Sequence, residues 1–394
     1  MFRKFPSSFL ASDNVQAGTI KATFHAEQLS QALNAVSAAQ ADGDVGWIQL
    51  HFTGSGKVIV SSVSHILSIR YEFLGEHEGQ GVVKVSGKQL LDYVKQLPAD
   101  KVDLKIELPF KLTVKCGRSS ARLQLIQDST YSNINVPDVG THVQIKGEAL
   151  SRWVDSFRNF VLVDETRYYA NGSYIWAEGD SNSPSRVHAV ATDGLRLAKS
   201  LINEDLRIVS NDNSAVLVPK KALDEVRRVA QSDPGRIFTL HWHQDELFFS
   251  LESDNYLLIA KTIAGDYPPY EAAMPQKINS HVIIETKTLQ ESLRRALIFA
   301  DKNRILKFEF DVNALSVQSF TPGQKEGEET IDLQNTLESP FEVNYHGQLL
   351  SGILDCLSGP KTQFEWESVV RPVKITGEGE RGIEVFYLLV PTRF

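Results

Sequence analysis

The 394-residue chain is too long for one ordinary hydrophobic core, so two to three domains are expected. Its 42% apolar content excludes a disordered chain, and no apolar run is long enough for a transmembrane helix. A net charge of −8 argues against a binder with a broadly basic surface, yet allows one whose positive charge is gathered on one face. The two cysteines, Cys116 and Cys356, suggest no disulfide framework and fit a reducing cytoplasm, the expected location. In residues 1–18, Arg3 and Lys4 precede a short apolar stretch that follows Pro6. That is too little for a signal peptide, so an N-terminal extension without structure, or a misassigned start, is expected.

Along the chain, apolar stripes at three- and four-residue spacing predict helices over 26–39, 87–97, 147–160, 220–231, 287–299 and 347–357. Start signals accompany three of them: Ser86-Gly87-Lys88, Pro219 at a first turn, and Thr286 with Gln290 in a capping arrangement. The first leucines of the stripes, Leu29, Leu90, Leu150, Leu223, Leu289 and Leu350, recur at intervals of 60 to 73 residues, the signature of internal duplication. Alternating or β-branched segments at 47–53, 57–63, 66–73, 102–108, 111–116 and 121–127 predict strands between the first helices. Six βαβββ units pair into three similar α+β domains, each with two helices on one side and antiparallel sheet on the other. The expected bounds are 19–138, 139–275 and 276–394, with linkers around Pro137-Asp-Val-Gly140 and Met274-Pro-Gln-Lys277.

The longest interval contains Val187-His-Ala-Val-Ala-Thr-Asp-Gly-Leu-Arg-Leu-Ala198. Val187, Ala189 and Ala191 alternate onto one buried face, and Asp193-Gly194 marks a turn, so a hairpin is predicted. No pattern for catalysis accompanies it. Gly54-Ser-Gly-Lys57 lacks phosphate-loop spacing and leads into a strand. His241 and His243 share a strand face without a third ligand, so they are expected to be surface histidines and no metal is expected. Cys116 sits in an apolar strand as a buried, inert thiol. The four central helices with their flanks carry +1, +1, +2 and +1, which leaves −13 for the rest of the chain. Two readings of this stay open: ordinary solvated helix faces, or a basic inner surface with an acidic outer one, which would attract a polyanion through its phosphates.

Arg167-Tyr-Tyr-Ala-Asn-Gly172, Val190-Ala-Thr-Asp-Gly-Leu-Arg-Leu-Ala198, Asp266-Tyr-Pro-Pro-Tyr270 and the terminal Val390-Pro-Thr-Arg-Phe394 occur in this order. They resemble the β sliding clamp of bacterial DNA polymerase III, whose usual forms are RYYLNG, VATDGHRLA, FPDY and MPMRL, and the resemblance runs from Ile20 onward. It implies the DNA clamp fold in a head-to-tail homodimer, a ring whose helices line a hole for double-stranded DNA and whose sheets lie outside. It also implies processivity without catalysis or a cofactor. The partners would be the DNA polymerase III catalytic subunit, the clamp loader and other proteins with a clamp-binding motif, and no membrane.

The family's partner-peptide pocket maps onto Thr192, Gly194, Leu195, Arg196, Leu197, Pro268, Tyr345, Val370, Pro372, Leu388, Val390, Pro391, Thr392, Arg393 and Phe394. The DNA-facing set would be Arg152, Arg158, Arg167, Tyr168, Tyr169, Lys220 and Lys221, and the dimer contact would include Leu297 and Ile298. The chain departs from the family at Leu195 (usually His), Thr392 (commonly Met), Ala170 (commonly Leu), Ala272 (frequently basic), Ala121 (often aromatic) and the Asp42-Gly-Asp44 loop (often basic). Two other readings compete with the ring: a monomeric, clamp-like interaction module, and an enzyme built on the repeated scaffold.

Overall fold

All six helices form, and each follows a strand with no intervening loop: α1 (Ala26–Val36), α2 (Gly87–Lys95), α3 (Gly147–Asp155), α4 (Lys220–Ser232), α5 (Thr286–Phe299) and α6 (Gly347–Leu354). The computed structural model describes residues 18–40, 46–98, 100–126, 134, 136, 139–162, 170–179, 185–319, 327–377 and 382–392. The expected N-terminal extension (apart from Gly18), the Asp42-Gly-Asp44 loop and the Arg167–Tyr169 segment lie outside these residues.

A helix start leaves backbone N–H groups without helical partners, and here the duplication itself satisfies one of them. The first N–H of α1 donates to Asp100 O and that of α2 to Gly46 O, at 2.9 and 3.1 Å. In the same way α3 donates to Arg236 O, α4 to Asn171 O, α5 to Pro360 O and α6 to Arg304 O. Each acceptor immediately precedes a strand of the sister repeat, so the two halves of each domain exchange equivalent bonds. This replaces the predicted side-chain caps. Thr286 Oγ1 lies 2.9 Å from Thr362 Oγ1, and Gln290 donates instead to Leu354 O, which ties α5 to α6. Pro219 is the last strand residue before α4 rather than part of its first turn. The helices pack in pairs, α1 on α2, α3 on α4 and α5 on α6. Four predicted spans, 26–39, 87–97, 147–160 and 347–357, were too long as α-helix, and in two of them 37–39 and 158–160 tighten into short 3₁₀ turns.

The described residues form two compact units, Met1–Gly140 with Ile237–Thr262, and Thr141–Arg236 with Ile263–Phe394. In the first, the strands Glu76–Glu78, Thr19–His25, Lys101–Glu107, Lys111–Cys116 and Ser119–Gln124 form one antiparallel sheet in that order. A second sheet runs from Ile237–His243 through Phe248–Ser253, Tyr256–Lys261, Leu67–Leu74, Lys57–Val63 and Trp47–Phe52 to Gly81–Ser86. His241 is buried there and contacts the Val139 carbonyl, so it is a core histidine and not a surface one.

The second unit contains an eight-stranded sheet, in the order Ala215–Pro219, Gly172–Glu178, Arg186–Thr192, Arg196–Ile202, Ile383–Leu389, Val373–Gly377, Lys361–Trp366 and Ser280–Glu285. A four-stranded sheet follows the order Gly327–Asp332, Ala314–Ser319, Ile305–Phe310 and Phe341–His346. The eight-stranded sheet exists because the last strand of the chain pairs with the second strand of the predicted hairpin, from Arg196↔Leu389 to Ile202↔Ile383. Tyr387 fastens this seam from the helix side. It is fully buried, stacks on Phe160 with centroids 5.0 Å apart, and donates its hydroxyl to Ser156 O at 3.1 Å.

Replacing Tyr387 by Ala should therefore cost about 3–5 kcal/mol, the range for emptying a large aromatic site, whereas Tyr387→Phe should cost about 1 kcal/mol for one buried hydrogen bond. Urea unfolding monitored for this unit tests the ordering. Equal losses would mean that the hydroxyl, not the ring, carries the contact.

Candidate functional site

The Arg186–Thr192 and Arg196–Ile202 strands form the predicted hairpin, with Thr192 opposite Leu197. Its turn is held by short polar side chains that replace backbone bonds. Asp193 Oδ1 accepts from the N–H groups of Leu195 and Arg196 at 3.0 and 2.9 Å, and its Oδ2 accepts from Arg196 Nε at 2.9 Å. Thr192 Oγ1 donates to Arg196 O and accepts from Gly194 N. Gly194 has φ +88°, a conformation that a side chain would strain. This network leaves Leu195 at the tip of the turn, 53% exposed.

Strand alternation separates the neighbouring residues onto two faces. On one face Val190, Leu197 and Leu388 form a buried cluster, covered by Trp176, Tyr267, Tyr270, Ala273, Met274 and Phe386. The segment that carries Tyr267-Pro268-Pro269-Tyr270 thus lies across the sheet as a partial lid. Beyond the lid the sheet ends in an apolar row. Val390 N donates to Leu195 O at 2.9 Å, and the pairing of Val373 with Leu389 sets Pro372 beside Val390. Val370 is exposed in the adjoining loop, and Pro391 and Thr392 continue the tail, with Thr392 N donating to Asn344 O. The structure therefore gathers Leu195, Leu197, Pro268, Pro372, Leu388 and Val390 on one sheet face and its edge.

Arg196 and Tyr345 are placed otherwise. The Arg196 side chain points through to the helix side, 4.5 Å over the Phe160 ring, and donates to Asn159 O. There it borders a cavity of about 700 Å³ together with Arg152, Asp155, Arg227, Asp355 and Cys356. Tyr345 is fully buried and accepts a 2.8 Å hydrogen bond from Trp366 Nε1, while its neighbour Asn344 accepts from Thr392 N of the tail. Arg393 and Phe394 lie outside the described residues. The lid aromatics Tyr267 and Tyr270, together with Trp176, were not among the residues inferred from sequence. The Tyr-Pro-Pro-Tyr spacing was the available signal for the first two.

The basic helix faces are less free than a charge count suggests. Arg158 pairs with Asp155 at 2.8 Å and Asp224 at 2.9 Å, and Arg227 pairs with Asp155 at 2.6 Å, so α3 and α4 are laced together. Lys220 donates to Arg158 O, and burial lowers its pKa. Lys221 and Arg152 are half-buried on the same helix pair. Arg167, Tyr168 and Tyr169 lie outside the described residues. At the end of α5, Ile298 is 74% exposed and Leu297 is half-buried. No cluster of three or more metal-ligating side chains occurs among the described residues. Burial pushes the Cys356 thiol up to about 11, which keeps it protonated and a poor nucleophile. No described helix is long and apolar enough to cross a membrane.

Three similar α+β domains of paired helices backed by antiparallel sheet define the DNA clamp fold, and solved clamps superpose on this chain. The Caulobacter crescentus β sliding clamp matches with a TM-score of 0.85 and 22% identity over 96% of this chain and all of that one. The Bartonella birtlesii clamp bound to griselimycin matches with a TM-score of 0.86 and 19% identity over the same shares. Family models described as the N-terminal, central and C-terminal domains of the DNA polymerase III beta subunit match residues 19–135, 144–269 and 271–393. The chain belongs to the DNA polymerase III beta subunit family, the sliding clamps of bacterial DNA replication. Curated relatives include the Beta sliding clamp of Pseudomonas aeruginosa, 27% identical over 67% of this chain and 71% of that protein. That of Caulobacter vibrioides is 25% identical over 79% and 82%.

If Asp193 organises the turn, Asp193→Ala should accelerate amide hydrogen exchange at Leu195 and Arg196 by about tenfold or more, in line with the loss of charge-assisted bonds. Exchange at Ile375 should be unchanged. Unaltered exchange in the turn would show that the strands alone hold it.

Proposed function

We propose that two copies of this chain close head to tail into a ring around double-stranded DNA and tether the polymerase to its template, with no catalytic site of their own. The observation that carries this reading is the match to three beta-subunit domains in order along one chain. Two sheet edges support the closure. Ser119–Gln124 ends the five-stranded sheet beside the cations Arg118 and Arg122, and Gly327–Asp332 ends the four-stranded sheet with Glu328 and Asp332 exposed, while Glu329 is paired with Arg295 of α5. Opposite charge on two open edges favours pairing between copies and disfavours like-with-like contact. Ile298, exposed at the end of the helix that packs on the acidic edge strand, would supply an apolar anchor with Leu297.

In this reading the domains divide near 138 and 275, and Arg152, Arg158, Lys220 and Lys221, with Arg167, Tyr168 and Tyr169, face the DNA backbone. Contacts to phosphate carry no sequence information, which suits a ring that slides. The apolar face around Leu197 and Leu388, with Leu195, Pro268, Val370, Pro372, Val390, Pro391 and Thr392 at its margin, would receive short linear peptides of the polymerase catalytic subunit, the clamp loader and other partners. Leu195, where the family usually has His, makes that margin more apolar and removes a titrating group.

An Ile298→Asp substitution should convert a dimer sedimenting near 88 kDa, twice the 44.0 kDa chain mass, into a monomer at micromolar concentration. A wild-type chain that already sediments as a monomer would overturn the ring in favour of the interaction module.

A further inference from the structure

We propose that the groove prefers linear peptides whose apolar anchor is flanked by a basic residue, which seats on the tyrosine face beside the groove. The inference rests on the peptide-groove reading and concerns which partners that groove selects.

The sheet face continues past Leu197 and Val190 into a row of aromatic rings. Tyr174 stacks on Tyr267 with centroids 5.3 Å apart and planes at 8°, Trp176 lies 5.4 Å from Tyr174, and Tyr270 meets Tyr267 edge-on at 6.3 Å. Tyr174, Trp176 and Tyr270 are each half-buried, and Trp176 also stacks on His188 with centroids 4.7 Å apart. The faces of such rings attract cations. The molecule already uses one of them this way, with Lys199 Nζ 5.5 Å from the centre of the Tyr270 ring.

Carboxylates rim the same rings. Asp266 and Glu271 come from the lid and Glu178 from the strand that carries Tyr174 and Trp176. Burial raises the pKa of both Tyr174 and Tyr270; the next cause is the charge of Glu271 for Tyr174 and a hydrogen bond with Glu271 for Tyr270, which places that carboxylate beside both rings. Glu178 sits 3.2 Å from His188, while Asp266 and Glu271 have no ion-pair partner among the described residues. The cations on this face are Lys199, Lys374 (paired with Glu365 at 2.8 Å) and Arg186, opposite Glu178 in the strand register. The lid therefore presents two carboxylates without an ion pair among the described residues next to an apolar cluster, with Glu271 hydrogen-bonded to Tyr270 and Lys199 the cation nearest that ring. Residues 266–273 contain no Lys, Arg or His, so no cation within the lid itself opposes Asp266 and Glu271. A peptide arginine or lysine would answer both the carboxylates and the rings, whereas an acidic flank would meet only repulsion.

The test uses the full chain and three fluorescein-labelled peptides that share a Leu-Phe anchor and differ in one flanking residue, Arg, Gln or Glu. Fluorescence anisotropy should rank them Arg, Gln, Glu, with the Arg peptide about fivefold tighter than the Gln peptide at low salt and the gap narrowing as salt rises. In an Asp266→Asn, Glu271→Gln double variant the ratio of the Arg to the Gln peptide should fall to about twofold, the share that the rings alone supply. Equal or tighter binding of the Glu peptide, or a ratio undiminished in the double variant, would overturn the preference while leaving the groove in place. Failure of all three peptides to bind, or binding that Leu197→Asp does not weaken, would overturn the groove reading and this inference with it.

Discussion

The pairing of Arg196–Ile202 with Ile383–Leu389 is the contact on which the second unit depends. It joins strands nearly two hundred residues apart in sequence into one sheet. A contact of that separation costs loop-closure entropy, which must be met by burial and hydrogen bonding. Here a ladder runs the length of both strands, and Tyr387 drives a large ring into the helices behind it. Once the seam is closed, alternation does the rest. Ala198 and Tyr387 face the helices, Leu197 and Leu388 face outward, and the two outward leucines form the floor that the lid covers. The candidate site is thus a by-product of how one domain is attached to the next.

The first unit repeats this solution. The strand Tyr256–Lys261 pairs with Leu67–Leu74, so a late strand of one repeat again completes the sheet of another. The reciprocal bonds at the helix starts point the same way. A helix that takes a carbonyl from its sister repeat has that N–H satisfied only when the sister is in place, so the two repeats of a pair support each other. The charges follow a similar economy. Arg158, Arg227, Asp155 and Asp224 first hold α3 to α4, and what remains for a polyanion is the balance after those pairs are satisfied.

Much of this was legible in the sequence because it is local. The leucine stripes placed every helix, the six-fold recurrence implied the duplication, and Thr192-Asp193-Gly194 marked the hairpin. What escaped depends on distant partners. Side-chain caps were expected at Thr286 and Gln290, but the acceptor that replaces them, Pro360 O, lies far along the chain. Counting charges could not show that Arg158 is already engaged by two carboxylates. Tyr345 matched a site position by alignment alone, while its burial follows from Trp366 in a different sheet. Arg196 is the instructive case. Strand alternation already puts it on the opposite face from Leu197, and the resemblance to a family motif grouped them regardless. Tyr267 and Tyr270 were visible as a motif, but their role as a lid depends on where the lid segment folds back.

The central claim is that the chain acts by enclosing DNA, and topology tests it most directly. The protein, loaded by a clamp loader onto a nicked circular duplex, should stay bound through gel filtration and should run off once a single cut linearises the circle. Retention that survives linearisation would show ordinary phosphate binding by the basic helices and would contradict the ring.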